Sequence, residues 1–210
     1  MKTLNNILKA FLLNILIIGS VFSATSCPGP STEKNYISSA MQAEAVVSNA
    51  LCALIELESQ GQYRYFQIQD LINEEIIPFI DIPYTAELVF DEHWKALKPD
   101  QKKALEKDLI KSLIEDYVSL IANFKKLEEI YIEVDKNTTL NGNLSEVKIY
   151  TSEEIDREVT SITLKMIRND SKWRVYDLLY QAISLLDVEK MSYGSKIHRY
   201  GLSNFLQRIQ

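Results

Sequence analysis

Apolar residues in this chain recur at helical spacing up to about residue 124 and at every second position from about residue 130. That change of period excludes both an all-helical bundle and an all-β sandwich, because one hydrophobic pattern cannot seat a helix stripe and a pleated strand alike. The strongest helical stretch follows Lys98. Pro99 suits a first helical position, and Asp100 sets negative charge beside the positive end of the helix dipole. From there Leu105, Leu109, Ile110, Leu113, Ile114, Tyr117, Val118, Leu120, Ile121 and Phe124 form a broad apolar face, with Lys107, Lys111, Glu115 and Asp116 opposite. Three earlier helices are expected at residues 38–58, with Gly61 as the stop, at 66–80, with Pro78 near the end, and at 84–94.

Past the switch, Ile130, Ile132 and Val134 alternate with polar or aromatic neighbours, as do Val147 and Ile149, then Ile162, Leu164 and Met166. Residues 137–143 are polar and read as a hairpin connection, and Asn169-Asp170-Ser171 turns the chain into a fourth strand in the stretch 173–186. Two closing helices, near 188–199 and 202–209, hinge on Gly201. Four strands with short links predict an α+β fold, an antiparallel four-stranded meander with one face covered by the preceding helices.

The N-terminus has the layout of a secretory signal over residues 1–26: Lys2 and Lys9, an apolar run over residues 10–22, then small residues. The run is well short of the ~20 residues that span a bilayer as a helix, and no later segment is expected to span one. Residues 27–35 form a polar leader, which leaves 36–210 as a single domain. Removing residues 1–26 takes away two lysines and no acid, so the exported chain has a net charge of -8. Such an acidic chain lacks the Lys/Arg footprint that neutralises phosphates, so nucleic acid is excluded as a partner. Cleavage before Cys27 would leave an N-terminal Cys resembling that of an acylated bacterial lipoprotein. The alternatives are a Cys27–Cys52 disulfide, suited to an oxidising compartment, or two inert thiols.

The signals of chemistry are weak. His93 and His198 have no Cys or carboxylate at metal-ligand spacing, no Gly-x-Ser-x-Gly elbow or phosphate-cradling loop occurs, and Glu74-Glu75, Glu128-Glu129 and Glu153-Glu154 are neighbours that do not face one another on a helix. No catalytic residue, metal site or cofactor is expected, and the chain is not expected to be an enzyme.

Two blocks carry a resemblance. Residues 66–124 hold Pro78, Trp94, Lys98-Pro99-Asp100-Gln101-Lys102 and Tyr117, and residues 172–206 hold Trp173-Arg174-Val175-Tyr176-Asp177, Ala182-Ile183-Ser184-Leu185, Tyr200-Gly201-Leu202 and Phe205-Leu206. In order and spacing these resemble the MlaC family of periplasmic phospholipid-binding proteins, also called the toluene-tolerance family. Gln181-Ala182 stands where that family usually has an acidic residue and glycine. The resemblance implies a curved sheet packed on helices with a phospholipid's acyl tails between them. It also implies a periplasmic carrier in a Gram-negative envelope, associated with ABC transport, that exchanges lipid between an inner-membrane transporter complex and an outer-membrane lipoprotein complex to maintain outer-membrane lipid asymmetry.

On that implication, face and period select Tyr84, Leu88, Tyr117, Ile121, Val147, Ile149, Ile162, Leu164 and Met166 for tail contact. A monomer is expected, anchored to the membrane only if Cys27 is acylated. The competing readings are an exported lipid hydrolase and an envelope adaptor lipoprotein whose interior is filled by its own side chains.

Overall fold

The computed structural model describes residues 38–122, 127–152 and 159–209. The export segment, the leader and Cys27 lie outside these described residues. Helix α1 (Ser39–Ser59) begins where the Ser38 hydroxyl accepts a hydrogen bond from the Met41 amide at 3.2 Å, and the chain leaves it through Gly61 at φ 68°. Helix α2 (Tyr65–Glu75) stops short of Pro78, which lacks an N–H and sits in a 3-10 turn, Ile77–Phe79. The Asp81 carboxylate accepts from the Tyr84 amide at 3.1 Å and caps α3 (Ile82–Phe90). A second 3-10 segment, Asp91–Ala96, follows. Thus each of the two single helices expected at 66–80 and 84–94 is an α-helix continued by a tighter turn.

Helix α4 (Pro99–Ile121) starts at Pro99 as expected, and the Gln101 side chain accepts from the Lys98 amide at 2.8 Å. Its expected extension to Phe124 falls outside the described residues. At the C-terminus, α5 (Leu185–Tyr200) begins three residues before the expected start, capped by Ser184. It ends at Gly201, φ 75°, before α6 (Leu202–Ile209).

The described sheet has six strands, not four: β1 (Tyr131–Val134), β2 (Thr139–Asn141), β3 (Leu144–Ser152), β4 (Thr160–Asn169), β5 (Lys172–Tyr180) and β6 (Ile183–Ser184). Their order is β1-β3-β4-β5-β6 with β2 also on β3, and every strand pair is antiparallel. The two additional strands are short pieces inside stretches read as links. The 137–143 connection places β2 on β3, and the stretch after Trp173 folds back at Gln181-Ala182 into β6. Between β4 and β5 the register shifts at Lys165/Met166, leaving Tyr176 as an extra residue. A bulge of this kind bends its strand, and here it lets both Val175 and Leu178 turn to the helix-covered face.

The buried residues form two clusters. One joins the helices around Ile72, Leu105, Leu109, Phe90, Tyr193 and Phe205. The other joins the start of α1 to the sheet: Ala40 and Ala43 pack with Val147, Ile149, Met166, Trp173 and Val175. Two alanines with almost no side chain let the helix backbone approach the sheet, and a 2.7 Å hydrogen bond between the Ser39 and Ser145 hydroxyls fixes that approach.

Contrary to expectation, α1 is long and apolar enough, by length and composition, to cross a membrane. Its apolar character has a structural use here. The first half packs on the sheet, and the second half walls the space described next.

Candidate binding cavity

Beyond Ala43, helix α1 presents Val46, Val47, Ala50, Leu51 and Leu54 to a hollow over the sheet. The hollow lies between the two buried clusters. The turn after α2 contributes Ile76, Phe79 and Ile80, the end of α4 contributes Tyr117, Leu120 and Ile121, and Leu127, Ile130 and Ile132 come from the approach to the sheet and β1. The floor is Thr151, Ile162, Leu164, Val175 and Leu178, from β3, β4 and β5. The hollow has a volume of about 160 Å³ and opens at a mouth.

No charged side chain lines the wall, and its two hydroxyls are neutral. The Thr151 hydroxyl reaches the Thr160 carbonyl at 3.3 Å. The Tyr117 phenol is pushed far above its ordinary pKa, first by burial and then by the negative charges of Asp177, Asp116 and Glu189, so it stays protonated. Such a wall can exclude water and hold an apolar molecule. It supplies neither a nucleophile–base pair nor a metal ligand, and no cluster of metal-binding side chains occurs among the described residues.

Of the nine residues selected from sequence, Tyr117, Ile121, Ile162 and Leu164 come together in this wall. Val147, Ile149 and Met166 do not. They share the covered face of the sheet but lie in the part that α1 closes with Ala40 and Ala43, where they are fully buried. Tyr84 and Leu88 are also outside the wall: Tyr84 packs edge-on against Tyr176, ring centroids 5.2 Å apart, and Leu88 is half-buried elsewhere on α3. The sequence reading missed the whole contribution of α1. Its signal was present in the unusual apolarity of a helix that already had a sheet to cover.

The ionisable groups of the C-terminal block serve the frame. Asp177, 5% exposed, accepts from the Ser184 hydroxyl at 2.9 and 3.0 Å and from the Leu186 amide at 3.1 Å, and it pairs with Lys165 at 3.1 Å. It thereby ties β5 to the start of α5. Burial works against the charge of Lys165, but the hydrogen bond and charge of Asp177 outweigh it and hold the ammonium above its ordinary pKa. Arg174 donates to the Pro78 carbonyl at 2.5 Å, and the Asp81 amide donates to the Val175 carbonyl at 2.8 Å, so the turn that carries Phe79 and Ile80 is held to the sheet edge.

Among the described residues no cysteine is free. Cys52 is disulfide-bonded, which removes the inert-thiol reading for it.

Helices laid on an antiparallel sheet around an apolar, uncharged hollow define a small α+β domain organised about space for an apolar molecule. The family model of the MlaC protein matches residues 44–210, and the chain belongs to that family. Among solved structures, the phospholipid-binding protein of Ralstonia solanacearum, determined in complex with a phospholipid, is similar with a TM-score of 0.66 and 16% identity over 80% of this chain and 92% of that one. At that identity the likeness is one of fold. No curated protein sequence matches the chain significantly.

Proposed function

We propose that the protein is a non-enzymatic phospholipid carrier of the cell envelope. The observation that carries this reading is the hollow itself: nineteen described side chains line it and none is charged. Family membership and the phospholipid bound by the Ralstonia protein support the choice of ligand. Each buried methylene is worth ~0.8 kcal/mol, so a diacyl lipid with about thirty of them faces more than ~20 kcal/mol to enter water bare. Polar contacts cannot offset that. A wall as apolar as the membrane can, and it leaves the headgroup at the mouth in water and the exchange nearly balanced.

On this reading the chain is exported to the periplasm of a Gram-negative envelope and moves lipid between an inner-membrane transporter complex and an outer-membrane lipoprotein complex. Energy comes from the transporter, since the sequence carries no phosphate-cradling loop of its own. The disulfide at Cys52 supports an oxidising compartment.

Transfer of a fluorescent phospholipid from donor to acceptor vesicles tests the proposal. The purified protein is expected to accelerate transfer with no loss of intact lipid. Leu164→Glu, which sets a carboxylate in the floor, is expected to abolish the acceleration while a folded circular-dichroism spectrum is retained. Hydrolysed lipid would favour the hydrolase reading, and no acceleration by the unaltered protein would favour the adaptor.

A further inference from the structure

Helices α1 and α2 carry the acidic side chains Glu44, Glu56, Glu58, Asp70, Glu74 and Glu75 and no lysine, arginine or histidine. Glu44 is answered by Lys136. Glu56, Asp70, Glu74 and Glu75 instead line a groove between the two helices, with Gln60 and Gln67 beside them and Ala53, Leu57 and Leu71 as an apolar floor. The groove shares no lining residue with the hollow. We infer that it is the docking site for a basic amphipathic helix of a partner protein, with Lys or Arg on the flanks of that helix and an aliphatic stripe on the floor. This goes beyond the carrier reading, which names partners but no face.

Charge selects the occupant first. Among the described residues no lysine or arginine pairs with any of the four carboxylates. Arg64, the base closest in sequence, stands before α2 and does not line the groove. Burial, and then the charge of Glu74, hold the Glu75 carboxyl above its ordinary pKa. A cationic partner relieves that repulsion, whereas an anionic lipid surface would add to it. The groove therefore suits a protein and not a bilayer.

Unmet acceptors point the same way. Gln67 Oε1 and Glu75 Oε2 are buried and accept no hydrogen bond among the described residues, which is costly for groups of this kind. An incoming ammonium brings three donors and a guanidinium five. At the start of α2, Phe66 is 72% exposed and Tyr65 48% exposed, their rings edge-on with centroids 5.6 Å apart. Phe66 stands one turn before Asp70, so an aromatic face flanks the acidic rim, and such a face attracts the head of Arg or Lys.

Spacing and backbone decide the shape of the partner. Glu56 and Gln60 on α1, and Asp70 and Glu74 on α2, each lie four residues apart, so both rims repeat at about 6 Å. Lys or Arg four residues apart on a helix keeps that step. The walls are helices whose backbone groups are already bonded, so an extended peptide finds no main-chain partners there. A helix satisfies its own backbone and can lay an apolar stripe on Ala53, Leu57 and Leu71.

The test uses the exported protein and no lipid, so its failure leaves the carrier reading standing. A fluorescent synthetic helix with a leucine stripe flanked by lysines is titrated with the protein and followed by anisotropy, beside a copy with glutamates in place of the lysines. The titration is run in about 0.15 M salt, where exposed charges beyond about 8 Å are screened. Only the lysine helix is expected to bind. Asp70→Lys combined with Glu74→Lys, both exposed on the rim, is expected to weaken binding severalfold. Glu115→Lys combined with Glu133→Lys changes the net charge equally at exposed positions outside the groove and is expected to leave binding nearly unchanged. No binding by the unaltered protein, binding of the glutamate helix, or equal weakening by both pairs overturns the proposal. Should the rim reversal lose its folded circular-dichroism spectrum, Asp70→Asn combined with Glu74→Gln is read in its place, and unchanged affinity overturns the proposal. Sedimentation of the protein alone is expected to show a monomer. A dimer that the rim substitutions disperse would make a second copy of the chain the occupant and overturn the partner helix.

Discussion

Gln181 and Ala182 both hold left-handed backbone, φ 49° and 65°, in the two-residue link that folds β5 back onto β6. Tight hairpins of this hand favour Gly, Asn or Asp; Ala182 carries a Cβ at the position where the resemblance expects glycine. Ala182→Gly is therefore expected to raise stability by about 1 kcal/mol, a gain of roughly 2–4 °C in the thermal midpoint for a chain of this size. An unchanged or lower midpoint in a calorimetric scan would show that the link is not strained. Glu189 is a second residue at odds with its surroundings. It is 2% exposed with one carboxylate oxygen lacking a partner. Burial above all raises its pKa, with Asp116 and Asp108 adding and Ser112 and Lys196 opposing. A carboxyl that binds its proton more tightly when folded contributes most below the unfolded value near 4.5 and loses that contribution as pH rises through the folded value. Glu189→Gln should flatten this loss and add about 1 kcal/mol near neutral pH. Parallel denaturation profiles for the two proteins from about pH 4 to about pH 8 would contradict it.

At the scale of elements, α1 explains both what the sequence revealed and what it hid. Period-two alternation correctly puts Val147, Ile149, Ile162, Leu164 and Met166 on one face of the sheet, because a pleat leaves side chains no other choice. Period cannot say which part of that face a helix will close. That depends on Ala40 and Ala43, whose small size matters only once α1 is known to lie above Val147 and Met166. Short strands fared likewise. β2 and β6 have two or three residues each, too few to show a period, and they exist because β3 and β5 offer them an edge. The division of α1 can be tested with one substitution in each half. Ala43→Phe has no room, since Ala43 is 0% exposed against the sheet cluster, and should destabilise the fold by about 1–3 kcal/mol. Ala50→Phe projects into the hollow and should leave the denaturation midpoint nearly unchanged while lowering the amount of lipid that co-purifies. Equal loss of stability at both positions would mean that α1 is packed alike along its length.

For the whole molecule, the order of elements and the α+β class were legible from the change of period near residue 125, and the family from two blocks of motif residues. The wall of the hollow was legible only in part, because it is assembled from seven separate stretches whose meeting is a property of the fold. What unites them is the absence of charge. Asp177, Lys165 and Glu189 are all buried or half-buried, yet each lies behind the wall rather than in it. The most direct test of the central claim is native mass spectrometry of the exported protein, purified from a bacterial periplasm without detergent. The account predicts an added mass equal to one diacyl phospholipid, released intact on extraction and lost in Ala50→Phe. A bare polypeptide mass that stays bare after incubation with phospholipid vesicles would contradict it.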